Sequence, residues 1–136
     1  MKVRLLLRQI RNLIDDFDWA VMEVPPGSDK MSGCVYSIGF GAAFAFAEVL
    51  CIGIAPGEAK SLVNQLGARL EAAGTLPIGQ EIQGLIPGCS VLLQPMQESE
   101  AAPMVAMAVA YYSYARSHGE IYPELSVVQA IVTKLH

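Results

Sequence analysis

An apolar segment from Gly39 to Ile54, broken by one charged residue, constrains the fold of this chain more than any other feature. Its last part, Val49–Ile54, is continuously apolar, which is typical of a central strand buried on both faces of a sheet. Glycines and Glu48 interrupt the segment, so it lacks the roughly 18 unbroken apolar residues of a membrane span. We therefore predict that the segment forms the middle of a packed sheet, with Glu48 as the one ionisable group beside it.

Local patterns predict six strands and three helices along the chain. Short apolar runs bounded by glycine or proline mark strands at residues 19–24, 34–39, 49–54, 81–86, 90–95 and 126–132. Apolar residues at three- and four-residue spacing mark helices at 3–17, 56–73 and 102–115, while residues 40–47 form either a loop or a short buried helical turn. This order predicts an α+β fold with a mainly antiparallel sheet of about six strands, two major helices and an N-terminal amphipathic helix. We expect a single domain over residues 1–136, in which helix 1–17 precedes a core at 18–136.

The composition indicates a partner. Hydrophobic residues make up 53% of the chain and charged residues 16%, against a charged share of roughly 25% in typical soluble domains. A chain this apolar has to bury its surface or share it, so we expect a protein partner or self-association, or a small apolar ligand. The net charge is −4 and the basic residues group only at Arg4, Arg8 and Arg11, which argues against nucleic acid as a partner. The N-terminal apolar run is short and no small-residue cleavage site follows it, so we expect a cytoplasmic protein without a membrane segment.

Metal and cofactor sites have little support in the sequence. The two histidines and three widely spaced cysteines form no CxxC or HxxxH pattern, so we expect no metal. The Gly39-Phe40-Gly41 step invites comparison with a dinucleotide-binding loop, but Phe44 occupies the position of its third glycine. We therefore expect no cofactor, and we interpret these glycines as positions that need unusual dihedral angles or tight packing.

Several short motifs follow one another between residues 18 and 132. They are Trp19–Met22, Val35–Gly39, Glu48–Gly53, Leu62–Leu66, the glycines at 74, 79 and 84, Tyr111–Tyr112 and Val128–Ile131. In this order they resemble a bacterial family, the domain of unknown function 4262. The family's His-Pro-Glu step before the third strand is Phe46-Ala47-Glu48 in this chain, so only the glutamate is kept. The resemblance implies no activity, and any activity that depends on that histidine is lost here.

The residues with most chemical potential lie around Glu48, which is a weak candidate for a catalytic residue. A carboxylate in so apolar a segment is paired, lies at an edge, or has a raised pKa. One interpretation makes Glu48 a general base or ligand-orienting group, with Tyr36, Ser37, Glu48, Tyr111 and Tyr112 as ligand-binding residues. The other interpretation places Glu48 at the surface where a strand begins, or as a cap for nearby backbone N–H groups.

These observations favour a small non-catalytic interaction protein, for example an immunity or inhibitor protein that acts through an apolar and aromatic surface. Two alternatives stay open. One is a small-molecule-binding domain, and the other is an enzyme, each with a pocket at Tyr36, Glu48 and Tyr111.

Overall fold

A six-stranded sheet lies at the centre of the protein in a computed structural model, which describes residues 2–26, 33–122 and 124–135. Its strands are β1 (Ala20–Val24), β2 (Cys34–Ile38), β3 (Glu48–Ile52), β4 (Glu81–Gln83), β5 (Cys89–Pro95) and β6 (Val127–Lys134). They lie side by side in the order β1-β2-β3-β6-β5-β4. The α+β class and the six predicted strands are confirmed, with small shifts at the strand ends.

The sheet is mixed, so the prediction of a mainly antiparallel sheet is wrong. Strand β3 runs parallel to β6, whereas β1–β2, β2–β3, β4–β5 and β5–β6 are antiparallel pairs. The reason is the position of β6, which lies between β3 and β5 although it comes last of the six in the chain. Local apolar patterns identify strands, but they do not identify the partner of a strand that is distant in sequence.

Five helices accompany the sheet in the part of the chain that the structure describes, which is more than the three predicted. They are α1 (Lys2–Phe17), α2 (Phe40–Phe44), α3 (Pro56–Ala73), α4 (Glu98–Ala101) and α5 (Ala106–Ser117). Helix α2 is the helical turn that the sequence left open, but it ends at Phe44 and only Phe40 of it is buried. The predicted helix at 102–115 is wrong at its start, because residues 102–105 form a turn that contains Pro103. Proline lacks the backbone N–H that a helix interior needs, so α4 and α5 are separate.

Each face of the sheet carries its own apolar layer. Helix α3 packs Leu62, Leu66 and Leu70 against one face, where Val49 and Cys51 of β3 also lie. Helices α1 and α5 pack on the other face against a layer that includes Leu50 of β3. Strand β3 is therefore buried on both sides, which confirms the interpretation of the apolar segment.

Helix α1 packs through one stripe and leaves another exposed. Leu7, Ile10 and Ile14 are buried against the sheet, and Arg11 Nη2 forms an ion pair with Glu120 Oε1 at 2.6 Å, which ties α1 to the segment after α5. On the other side of the buried stripe, Leu13 and Phe17 stay 42% and 64% exposed. None of the helices in the described part of the chain is long and apolar enough to cross a membrane.

Candidate functional site

Glu48, the first residue of β3, lies inside the protein with only 1% of its surface exposed. The expectation that it begins a strand at the surface is therefore wrong. Its carboxylate instead lies beside the N-terminus of α2, where backbone N–H groups have no partner within the helix. The alternative prediction, that Glu48 caps nearby backbone N–H groups, is confirmed.

Three consecutive backbone N–H groups donate to the two carboxylate oxygens. Phe40 donates to Oε1 at 3.1 Å, and Gly39 and Gly41 donate to Oε2 at 3.3 and 2.9 Å. Glu48 thus does from another strand what an N-cap side chain does locally, and its negative charge faces the positive end of a short helix. Gly39, at the N-cap position, has no side chain that could cap α2, and the Glu48 carboxylate takes that role.

Two hydroxyl groups complete the shell around the carboxylate. Ser37 donates to Oε1 at 2.7 Å and accepts the backbone N–H of Val49 at 3.0 Å, so it joins β2 to β3 where their pairing ends. Tyr112 of α5 donates a short hydrogen bond to Oε2. Five donors from β2, α2 and α5 therefore converge on Glu48, and the Glu48 cluster (Ser37, Gly39–Gly41, Glu48 and Tyr112) joins three parts of the fold.

Glycines allow the chain to form this cluster. Gly39 has a φ of 126°, and a Cβ there would lie 2.6 Å from the Asp18 carbonyl oxygen. At Gly41 a Cβ would lie 3.1 Å from the Tyr112 hydroxyl, so a larger residue would press against the donor of the shortest bond. The interpretation of these glycines as sites of unusual dihedral angle and tight packing is confirmed.

Burial and hydrogen bonding act on the Glu48 carboxyl in opposite directions. Burial raises its pKa above the ordinary 4.5, and the hydrogen bonds from Tyr112, Gly41, Ser37 and Phe40 partly offset that rise. Burial, together with the neighbouring carboxylate, also raises the pKa of the Tyr112 hydroxyl, so this group holds its proton as a donor. The hydrogen bonds favour the charged carboxylate and burial favours the neutral acid, and burial has the larger effect on the pKa.

The structure separates the predicted ligand-binding residues. Ser37, Glu48 and Tyr112 form the cluster, whereas Tyr36 and Tyr111 are buried in the apolar layer under α1 and α5. The Tyr36 hydroxyl accepts the backbone N–H of Met107 at 3.1 Å, which anchors β2 to the start of α5. The Tyr111 ring packs edge-on against Tyr112 with centroids 5.4 Å apart. Neither Tyr36 nor Tyr111 lines the cavity next to Glu48.

Two concavities adjoin the cluster on its outer side. A small cavity of about 30 Å³ is lined by Glu48, Tyr112 and Phe46. The cavity has room for about one or two water molecules. Tyr112, Glu124 and Leu125 also line a larger groove of about 390 Å³ along α5. We call this the α5 groove, and its wall includes Glu98, Val109, Tyr112, Arg116, Glu124 and Leu125. Arg116 and Glu124 are not among the residues that the sequence predicts for a site, since no local pattern distinguishes them from other exposed charges.

The chemistry open to Glu48 is limited by its partners. A general base needs a lone pair directed at substrate, within about 3 Å of the proton it removes. Here both oxygens already accept hydrogen bonds from inside the protein, and the adjoining cavity is far smaller than the roughly 300 Å³ of common ligand sites. The arrangement is that of a structural anchor that also fixes the Tyr112 ring in the wall of the α5 groove.

A second feature lies at the opposite end of the sheet from β4. Strand β1 is hydrogen-bonded to β2 on one side, and no described strand pairs with its other side. Helix α1 is joined to β1 by two residues and packs against it. Its side chains Leu13 and Phe17 are exposed, and Val24 at the end of β1 is 39% exposed. We call Leu13 and Phe17 the outer flank of α1. Open edges next to apolar surface are places where another chain can add a strand.

Comparisons with known proteins give one match. The sequence model of a family described as a domain of unknown function (DUF4262) matches residues 13–134, which is most of the chain. Searches of curated proteins and of solved structures gave no match. The match agrees with the resemblance drawn from the motifs between residues 18 and 132.

Proposed function

The chain belongs to the DUF4262 family of unknown function, and we propose that it is a non-catalytic interaction protein that binds a protein partner through the β1 edge. The observation that carries this proposal is the open, five-residue edge of β1 beside the exposed outer flank of α1. Strand addition supplies backbone hydrogen bonds for affinity, and the side chains beside the edge supply selectivity. An immunity or inhibitor protein that neutralises its target is one form that such binding takes.

The Glu48 cluster supports the non-catalytic part of the proposal. Glu48 is the one charged residue among the buried side chains of the described chain, and its oxygens accept five internal hydrogen bonds. A residue with perturbed pKa often marks an active site, but structural networks perturb pKa values in the same way. Here the network accounts for the burial of Glu48 without a substrate.

Affinity capture with matched variants tests the proposed surface. Phe17→Asp places a charge on the outer flank of α1. Ile121→Asp places the same charge at a 95% exposed site next to Glu120, which pairs with Arg11 on the other side of α1. We expect a protein from the source cell to be retained by the wild-type chain and by Ile121→Asp and to be lost with Phe17→Asp. Equal retention by all three chains, or no retained protein, would contradict the proposal.

A small-molecule-binding function is a second candidate, and the α5 groove favours it. The groove volume of about 390 Å³ lies within the range of roughly 300–1,000 Å³ that ligand sites occupy. Its wall combines the 42% exposed side chain of Val109 with the charged groups of Arg116, Glu98 and Glu124. Such a wall suits an amphipathic ligand that carries charged groups.

Thermal unfolding with a library of small amphipathic acids, amines and amino acids tests this candidate. A true ligand raises the midpoint of the wild-type chain, and Arg116→Ala or Val109→Asp reduces the shift. Arg8→Ala is the matched control, because Arg8 is an exposed residue of α1 outside the groove. A shift that is the same in all variants would place the ligand elsewhere.

A further inference from the structure

We propose that the partner of the β1 edge is a second copy of this chain, added antiparallel so that Met22 of one copy faces Met22 of the other. The inference rests on the proposed function, because it names the partner of the same surface. It predicts a continuous sheet of twice the width across a two-fold axis. Such an axis requires a self-complementary edge, which can be checked residue by residue.

The two ends of the sheet differ in how well they resist strand addition. Strand β4 has three residues, and its outer residues Glu81 and Gln83 are exposed polar groups. Short, polar edge strands are a common protection against pairing with other chains. Strand β1 has five residues, with one charge and no proline inside it. It is therefore less protected against strand addition than β4.

The single charge in β1 does not prevent pairing. Glu23 Oε1 lies 2.6 Å from Lys60 Nζ of α3, so its charge is matched within its own copy. Both groups are partly exposed, so the pair does not anchor Glu23 strongly. In the register centred on Met22, Glu23 faces Val21 of the second copy rather than another carboxylate.

The ends of β1 select this register. Pro25 and Pro26 follow the strand, and proline cannot donate to a strand ladder, so pairing stops after Val24. At the other end, Asp18 has a φ of 74°, which is outside strand geometry. Only the register centred on Met22 pairs all five residues, with Ala20 facing Val24. A register centred on Glu23 would place two carboxylates opposite each other, which is unfavourable.

The outer flank of α1 gives the same copy an apolar contact. Arg11 is held toward α5 by Glu120, so Leu13 and Phe17, on the other side of the buried stripe, face the β1 end of the sheet. A two-fold axis at Met22 brings this flank toward the equivalent flank of the second copy. The exposed area of both side chains then leaves water, which favours association.

Disulfide trapping tests the register in the full chain. We place Met22→Cys and, as the matched control, Val24→Cys in a Cys34→Ala, Cys89→Ser background, because Cys34 lies opposite Val24 in the β1–β2 pair and Cys89 is half-buried, whereas Cys51 is buried. Mild oxidation should convert most of the Met22→Cys chain to a covalent dimer that reducing agent reverses. Val24→Cys should give at least about fivefold less dimer, since it faces Ala20. Equal trapping of both variants, or none of either, overturns the register.

Light scattering during size exclusion measures the association itself. The wild-type chain and Ile121→Asp should have the mass of two chains, whereas Phe17→Asp should raise the dissociation constant at least tenfold. A single-chain mass for the wild type at high micromolar concentration overturns self-association. The proposed function then still stands if affinity capture retains a different protein that Phe17→Asp loses, and it fails with the inference if capture retains none.

Discussion

A single carboxylate, Glu48, receives hydrogen bonds from three separate parts of the chain. The donors come from the end of β2, from the start of α2 and from α5. Because the group is buried, each donor left without it would lose both its partner and water, at a cost of about 1–3 kcal/mol. At the residue scale, therefore, Glu48 couples the local turn to the packing of a distant helix.

The pH dependence of stability reports directly on this group. The pKa of Glu48 is raised in the folded protein by burial, so the unfolded chain loses this proton at a lower pH than the folded chain. The stability that this residue contributes is then greatest below its ordinary pKa, and it is lost as the pH rises through the raised value. Glu48→Gln removes the titration.

We expect the difference in free energy of unfolding between the wild type and Glu48→Gln to favour the wild type more at pH 4 than at pH 8. Urea denaturation at a series of pH values measures it. The other carboxyl groups are common to both chains, so their titration cancels in the difference. A difference that stays constant, or that grows with pH, would contradict a raised pKa.

The hydrogen bond from Tyr112 has its own matched test. Tyr112→Phe removes one donor to the buried Glu48 carboxyl and should cost about 1–3 kcal/mol of stability. Tyr111→Phe is the control, because Tyr111 is equally buried and on the same helix but does not bond to Glu48. Similar losses in both variants, measured by chemical denaturation, would show that the Tyr112–Glu48 bond contributes little.

The sequence allowed part of this site to be predicted. An isolated acid in an apolar segment pointed to Glu48, and capping of backbone N–H groups was one of the two interpretations considered. Ser37 and Tyr112 were named as candidates, but their convergence on one carboxylate depends on the tertiary packing of β2 and α5. Tyr36 and Tyr111 look equivalent to Tyr112 in sequence, and only the direction of each ring separates them.

Close packing between elements centres on Gly67 of α3. A Cβ at this position would lie 2.5 Å from the ring of Trp19. Trp19 directly precedes β1 and packs on the face of the sheet that α3 covers. The Trp19 Nε1–H also donates to Asn64 Oδ1 of α3 at 2.9 Å. The absence of a side chain at Gly67 therefore sets how closely α3 approaches the start of β1.

Two glycine substitutions in the same helix should have opposite effects. Alanine favours a helix over glycine by about 1 kcal/mol, and at Gly57 a Cβ would meet nothing within 4 Å. We expect Gly57→Ala to stabilise the protein by up to that amount. Gly67→Ala should instead destabilise it by about 1–3 kcal/mol, because overpacking against Trp19 exceeds the helix gain. Thermal unfolding of both variants measures the two signs, and stabilisation by Gly67→Ala would contradict the packing argument.

Element boundaries were predictable where a local signal exists. Pro56 at the start of α3 and Gly74 at its C-cap mark that helix in the sequence and in the structure. Pro103 gave an equally clear local signal, and the prediction of one helix over 102–115 overlooked it. No local signal identifies the partner of β6, because β3 and β6 are separated by five other elements and their pairing is decided by the whole fold.

At the scale of the whole molecule, β6 joins two parts of the sheet. Strands β1, β2 and β3 lie on one side of it, and β5 and β4 lie on the other. Neither part can form its full set of backbone hydrogen bonds without β6. We therefore expect the two parts to unfold together rather than one after the other.

Coincident unfolding curves would confirm this cooperativity. Trp19 is the chain's single tryptophan and lies at the β1 end of the sheet, so its fluorescence reports on that end. Far-ultraviolet circular dichroism reports on all elements. The two signals should give the same midpoint and slope in urea. A fluorescence transition that precedes the dichroism change would show that the β1 part unfolds alone.

The placement of β6 also has a consequence for protein synthesis. The ribosome releases five strands before β6, which pairs with both β3 and β5. Until β6 is released, one edge of each of these two strands has unpaired backbone amides that other chains can bind. A nascent polypeptide stalled before residue 127 should accordingly be cleaved readily by protease and held by chaperones. The strand that is synthesised last of the six is therefore inserted in the middle of the sheet and is not added at its edge.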